Sequence, residues 1–307
     1  MSRFGNTICH GVFCNLLRRF GRGLAAGLAL AVALVVLPGQ AAPAEKPQRV
    51  VSLNLCTDQL LILLAERRRV ASVSFLAADP ASSAMAREAQ GLPLNHGLAE
   101  EVIHLRPDLV LAGATAAQPT VALLRRLGHR VVELPLAESL VDVAAHIRLV
   151  AEALGEEGRG EALIARFEGE TAAIPPPPPG PRPVAILIDP NGFTSGAGSL
   201  PDAVLRTAGF ENLATRLGMA GVGRIPLEAV VKAAPDALIL GRLSVEHPSL
   251  ATEFLSHPAL ARTVPRHAVI GMDHHLWACA IPEIAQAMER LAAFRRGLAA
   301  HPLGDRR

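Results

Sequence analysis

The chain has 307 residues, with 30 Lys+Arg against 28 Asp+Glu, nine Phe, one Trp and no Tyr. Near-neutral charge argues against nucleic acid as a partner, and four cysteines in a chain of this length exclude a small disulfide scaffold. The absence of tyrosine excludes a tyrosinate-ligated haem or ferric site.

The first stretch reads as a targeting segment. Arg3, Arg18, Arg19 and Arg22 precede an apolar run over residues 24–37, which Pro38 and Gly39 break. Ala42, Pro43 and Ala44 then offer a small-x-small cleavage site. The run is short for a membrane span and fits a secretory signal peptide cleaved near Ala44, so a periplasmic mature protein is expected. Cys14 precedes the apolar run and lacks the small residues of a lipobox. Without residues 1–44, 26 Lys+Arg face 28 Asp+Glu, and only Cys56 and Cys279 remain.

Beyond it, residues 49–55 begin as a strand and pass into a helix that Asn54 or Thr57 can cap. Residues 70–75 are a second strand, and residues 79–95, rich in small residues, read as a surface loop. A helix is expected over 118–127, closed by Gly128, and a strand over 130–134. Ser139 is expected to cap a long helical region that Gly155 and Gly158 break in two. The prolines at 175–179 cannot lie inside a helix and read as extended chain. A strand over 184–188, a helix over 200–208 stopped by Gly209, and helical chain to Leu260 follow. Residues 266–273 form the last strand, and 281–298 a closing helix with Pro282 in its first turn.

One stretch occurs twice. EEVIHLRPDLVLA at residues 100–112 is matched 128 positions later by EAVVKAAPDALIL at residues 228–240. Each reads as a short helix opened by a glutamate, a Pro-Asp stop and a buried strand, with Gly113 or Gly241 after it. Strand–helix alternation at this spacing predicts parallel sheets with right-handed crossovers, and the paired repeat predicts two similar lobes.

These pieces resemble a known family. RVVSL at 49–53, RPDLV at 106–110, FTSG at 193–196 and AGFENL at 208–213 are similar to the class III substrate-binding proteins of ABC importers. That group handles cobalamin, ferric siderophores and haem. The resemblance covers residues 49–298, nearly all of the mature chain. It implies an α/β fold of two Rossmann-like lobes with central parallel sheets, joined by a long connecting helix, with the ligand cleft between the lobes. The expected boundaries are 1–44 for the signal, 45–138 and 181–307 for the lobes, and 139–180 for the connecting region. The resemblance further implies a monomer serving an inner-membrane permease dimer, with Glu100 and Glu228 as the docking carboxylates. No resident cofactor is implied; the cargo is a cobalt or iron chelate. The two second-lobe motifs resemble the cobalamin binder best, with a ferric siderophore next and haem third.

Open parallel sheets bind ligands at the carboxyl ends of their strands. That rule nominates Asn54, Cys56, Thr57, Phe75, Ala114 and Thr115 from the first lobe. From the second it nominates Asn191, Phe193, Thr194, Arg224, Arg242 and residues 273–277, His274 and Trp277 among them. Phe193 and Trp277 offer flat apolar rings to a macrocycle face. His96, His274 and His275 can donate a nitrogen to cobalt, iron or bare zinc. Cys56 and Cys279, one per lobe, can form a cross-cleft disulfide or a soft-metal pair. An exported metal-dependent enzyme is the alternative class, yet no G-x-S-x-G elbow, H-E-x-x-H or Cys-x-x-Cys spacing occurs.

Overall fold

The computed structural model describes residues 45–242 and 250–300. The expected signal segment lies outside the described residues. Five strands make the first sheet: β1 (Val50–Ser52), β2 (Val70–Ser74), β3 (Leu94–Asn95), β4 (Leu109–Gly113) and β5 (Val131–Leu134). All pair in parallel, in the order β3-β2-β1-β4-β5. The helices α1 (Leu55–Leu64), α2 (Ala99–His104) and α3 (Gln118–Arg126) belong to this lobe. Asn54 caps α1, its side chain accepting from the Thr57 N–H at 3.3 Å. Every residue of β4 is buried, as a strand covered by helices on both faces should be.

α4 (Val141–Leu154) packs on α1, and α5 (Glu157–Ala172) packs on α4 and on the second lobe's final helix. The break between them comes at Gly155, whose φ of 68° ends α4 in the left-handed conformation. Gly158, also expected to break the run, lies inside α5 instead. Ser139 does not cap α4 with its hydroxyl oxygen. It donates to Asp142, whose carboxylate also accepts from the Glu138 and Ser139 N–H groups at 2.9 and 2.8 Å. Asp142 in the first turn thus fastens the two residues ahead of the helix, and no side chain caps the first N–H groups of α4.

The second lobe repeats the plan. It contains β6 (Val184–Ile188), β7 (Phe193–Ser195), β8 (Glu211–Asn212), β9 (Val222–Arg224), β10 (Ala237–Arg242) and β11 (Val269–Asp273). β11-β10-β6-β8 is a parallel sheet, while β7 and β9 pair antiparallel as a separate ribbon. α6 (Leu200–Thr207), α7 (Leu213–Arg216), α8 (Leu227–Ala233), α9 (Leu250–Ser256), α10 (Pro258–Thr263) and α11 (Ile284–Ala300) complete it. The ribbon, β3 and β8 were not legible as strands, being two or three residues long. Residues 79–95 are also more than a surface loop. Their turns bury Met85, Ala89 and Leu92 and end in β3. Pro282 stands just ahead of α11 rather than within it.

The Pro-Asp repeat has a physical role in both lobes. Asp108 accepts from the Gln48 and Arg49 N–H groups at 2.6 and 3.0 Å, and Asp236 accepts from the Val184 N–H at 2.8 Å. Each aspartate thus fastens its helix–strand turn to the start of the lobe's central strand. The residues before the two prolines leave the right-handed helix region, as expected, but not for extended backbone. Arg106 and Ala234 sit at φ of 46° and 44°. A left-handed non-glycine residue costs roughly 1–2 kcal/mol, and the aspartate clamps offset that strain.

Asp58, buried in the first turn of α1, accepts from the Ser74 N–H at 3.0 Å and from the Ser74 hydroxyl. Burial pushes its carboxyl up from 3.8 to about 6, and hydrogen bonds from Ser52 and Ser74 lower it only in part. The folded state therefore holds a proton that the unfolded chain has released between about pH 4 and 6. Stability from this group is fully present below the unfolded value and is lost as pH rises through 6, about 3 kcal/mol in all. Urea unfolding of Asp58→Asn at pH 4 and pH 7 should lack this component of the wild-type difference. An unchanged difference would show that Asp58 is not its source.

Candidate functional site

A cavity of about 280 Å³ lies between the carboxyl ends of the two sheets. From the first lobe it is lined by Asn54, Cys56, residues 113–115 and residues 134–137, and from α4 by His146. The second lobe contributes Leu187, Asp189, Ser195, residues 198–201, Gly221, Val222, His274 and residues 277–280. The wall is mostly apolar. Leu136 and Val222, one from each side, are 67 % and 73 % exposed, so the two make an apolar lip. No lysine or arginine lines it among the described residues.

The wall of this cavity carries the covalent link that the sequence left open. Cys56 and Cys279 form a disulfide across 223 residues of chain, with Cα atoms 5.2 Å apart. Both cysteines line the cavity. Cys56 stands at the amino-terminal turn of α1 and Cys279 in the turn before α11, so the bond joins one lobe to the other. Together with α5 it makes a second connection between the lobes. The soft-metal alternative for the pair is thereby replaced: oxidised sulfurs offer no thiolate.

Of the residues nominated from sequence, Asn54, Cys56, Ala114, Thr115, His274 and Trp277 line the cavity. Trp277 is only 2 % exposed and is as much core as wall. The others lie elsewhere. Thr57 is buried and bonded to Ser52 and Asn54. Phe75 stacks on His96 at 5.2 Å between ring centroids. Asn191 is exposed in a turn at φ 60°. The Arg224 guanidinium lies 4.7 Å over the Phe193 ring, so these two side chains occupy each other on the β7–β9 ribbon. Thr194, next to Phe193 on β7, is fully buried, its hydroxyl without a partner. The Arg242 side chain falls outside the described residues. His96 is held by Glu101 (3.1 Å), and His275 is half-buried off the wall. Among the described residues no group of three or more His, Cys, Asp or Glu is placed to hold a bare metal ion.

Of the cavity residues that were not nominated, two are ionisable, Asp189 and His146. Asp189 is the first residue after β6, the second-lobe counterpart of Asn54 after β1. Each lies over a glycine at the carboxyl end of the repeat strand, Gly113 last in β4 and Gly241 next to last in β10. A Cβ on Gly113 would stand 2.6 Å from Asn54 Nδ2, and one on Gly241 1.7 Å from Asp189 Oδ1. That close approach is why each repeat strand carries a glycine at this position. His146 sits in the buried stripe of α4 with Val143, Ile147 and Val150. A polar residue inside an otherwise apolar stripe was the signal available for it. Burial holds the His146 ring below its ordinary value, and the Asp142 charge opposes this in part. Burial likewise raises the Asp189 carboxyl, and neighbouring His274 counters it.

The two glutamates that open the repeats are exposed, in the first turns of α2 and α8. Glu101 beside the first is engaged instead. It accepts from the His96 N–H at 2.7 Å, and that bond, with the His96 ring, holds its carboxyl below the usual range.

Comparison with known proteins agrees with this architecture. The family model described as periplasmic binding protein matches residues 50–270. A cobalamin-binding protein of Halobacterium salinarum is 26% identical over 256 residues, covering 81% of this chain and 69% of the relative. An uncharacterised ABC transporter substrate-binding lipoprotein, YvrC of Bacillus subtilis, is 24% identical over 258 residues, covering 81% and 80%. Among solved structures, the apo periplasmic heme-binding protein RhuT of Roseiflexus sp. RS-1 superposes with a TM-score of 0.66 at 26% identity. That match covers 81% of this chain and 98% of RhuT. Two parallel-sheet lobes around a shared cavity, and a family match over most of the chain, lead to one conclusion: the chain belongs to the periplasmic binding protein family, as a class III substrate-binding protein of the ABC-importer type.

Proposed function

We propose that the protein captures a metal chelate, cobalamin in the first place, in the inter-lobe cavity. It then delivers the chelate from the periplasm to the permease dimer of an ABC importer. The observation that carries the choice of cobalamin is the chemistry of the wall. The cavity is mostly apolar, has no lysine or arginine among its described lining residues, and belongs to a chain without tyrosine. A carboxylate-rich ferric siderophore needs cations that this wall does not offer, since a buried anion without a partner is costly. A corrinoid, fringed by neutral amides and carrying a cationic metal, needs none. The cavity is smaller than a whole corrinoid, so most of such a chelate would rest outside it, against the Leu136 and Val222 lip. The cobalamin-binding relative supports the same choice.

Haem is the second reading. It is favoured by the heme-binding structural relative and by the His274 imidazole on the wall, a nitrogen able to meet iron. The test is the absorption spectrum and the cobalt and iron content of protein purified from its native source. Cobalt with a corrinoid band supports the first reading; iron with a Soret band would replace it with the second.

A further inference from the structure

The correspondence between the lobes reaches further towards the amino end than the repeated sequence does. His96 and Arg224 are 128 positions apart, the spacing of Glu100 and Glu228, and each stands four residues ahead of its glutamate. His96 follows β3 and Arg224 ends β9, two short strands that lead into α2 and α8. The residues differ in type, yet each is stacked on a phenylalanine. The Phe75 and His96 ring centroids are 5.2 Å apart, and the Arg224 guanidinium lies 4.7 Å over the Phe193 ring. The rings themselves come from unrelated places, Phe75 after β2 and Phe193 at the start of the β7–β9 ribbon. The Ile225 N–H donates to the Gly192 carbonyl at 2.9 Å, which ties the Phe193 end of the ribbon to the turn into α8. Both rings are open to solvent, 48 % and 38 % exposed. His96 and Arg224 are exposed with them, and none of the four lines the cavity.

We propose that the Phe75–His96 and Phe193–Arg224 pairs are matched anchors of one docking surface, and that its partner is the two-fold permease dimer. This rests on the ABC-importer reading above and deepens it, adding contacts beyond Glu100 and Glu228. One exposed ring is ordinary surface. The same stacked pair at the same place on two lobes is what a partner with two identical halves can meet, since it presents one patch twice. An exposed carboxylate calls for a cation and steers it, but a charge pair at a wet surface adds little affinity. An aromatic ring near the start of the same helix supplies the apolar anchor, the kind of residue that carries binding energy at interfaces. The stacked imidazole or guanidinium holds each ring in one orientation beforehand, which lowers the ordering cost of docking. On the first lobe His96 is itself held by Glu101, so Phe75, His96 and α2 form one connected unit. On the second lobe Ala229 stands where Glu101 would, and the guanidinium–ring contact alone fixes the pair.

The experiment uses the purified mature protein and inner-membrane vesicles from its native source. It reads the protein concentration that half-maximally stimulates ATP hydrolysis, and photo-cross-linking from a benzophenone amino acid placed at position 75 or 193. Phe75→Ala with Phe193→Ala should raise that concentration by about tenfold, at unchanged thermal midpoint and cyanocobalamin affinity. Each single variant should raise it by about threefold, because the two sites are distant and alike. Both benzophenone positions should cross-link the same membrane-spanning subunit, identified by mass spectrometry. His96→Ala with Arg224→Ala, which keeps both rings but frees them, should weaken docking less than loss of the rings. If the wild type gives no stimulation and neither position cross-links, the importer reading and this inference fall together. If the wild type stimulates hydrolysis and the Phe75→Ala, Phe193→Ala protein does so equally well, this inference alone falls. An effect or a cross-link from one lobe only overturns the two-fold match. Weaker cyanocobalamin binding would make the rings ligand contacts, and a lower thermal midpoint would make them structural; either outcome overturns the assignment.

Discussion

Reducing the Cys56–Cys279 disulfide is expected to lower the stability of the folded chain by about 5 kcal/mol. The bond closes a loop of 223 residues, and the chain-entropy relation for a loop of that size gives about 5 kcal/mol at 25 °C. A loop this long encloses α4, α5 and most of both sheets, so the unfolded ensemble is restricted almost from end to end. Opening it also leaves the lobes joined only through the connecting helices. Urea unfolding with and without a dithiol reductant, repeated on Cys56→Ser with Cys279→Ser, measures the effect. The double variant should match the reduced wild type. A loss below about 1 kcal/mol in both would mean that the lobes hold each other without the bond, and that its entropic account is wrong. The link also suits an exported protein, because disulfides persist in oxidising compartments.

If Glu100 and Glu228 are the docking carboxylates that the family resemblance implies, Glu100→Ala with Glu228→Ala should abolish uptake while leaving ligand affinity unchanged. Each carboxylate projects from the first turn of a short helix, and no partner engages either among the described residues. Exposed charges at matched places on two similar lobes can steer a two-fold partner and fix its register. Their alternative role, complementing the helix dipole, is worth only about 0.3–1 kcal/mol and would leave transport intact. Glu101 is not a substitute, since its carboxylate is bonded to His96. The pairing is read by measuring uptake in cells carrying each single and the double variant, beside titration of the purified proteins. Uptake equal to wild type in the double variant would remove these residues from the interface. A parallel fall in ligand affinity would reassign them to the fold.

Much of this architecture was legible because its signals are local. The apolar runs of β4 and β10, the Pro-Asp stops and the glycines after them identify the two lobes without reference to contacts. Asn54 was legible as a cap for the same reason. What was not legible depends on which way a loop turns. Phe193 follows a strand end and carries a family-like motif, yet β7 aims its ring at Arg224. Thr57 follows the same strand as Asn54 and faces the Ser52 hydroxyl instead of the cavity. The ribbon strands β7 and β9 are too short for alternation to register, so the orientation of Phe193, Thr194 and Arg224 had no sequence signature. His146 was hidden differently: periodicity reports that a helix face is buried, but not whether it meets core or cavity. The disulfide needed two loops from different lobes brought within a few ångströms, which only the assembled fold provides.

The most direct test of the account is isothermal titration of the purified mature protein with cyanocobalamin, haemin and a ferric hydroxamate. A mostly apolar cavity with no lysine or arginine among its described lining residues predicts submicromolar binding of cyanocobalamin alone. Tighter binding of haemin or the hydroxamate, or no heat with any of the three, would contradict it.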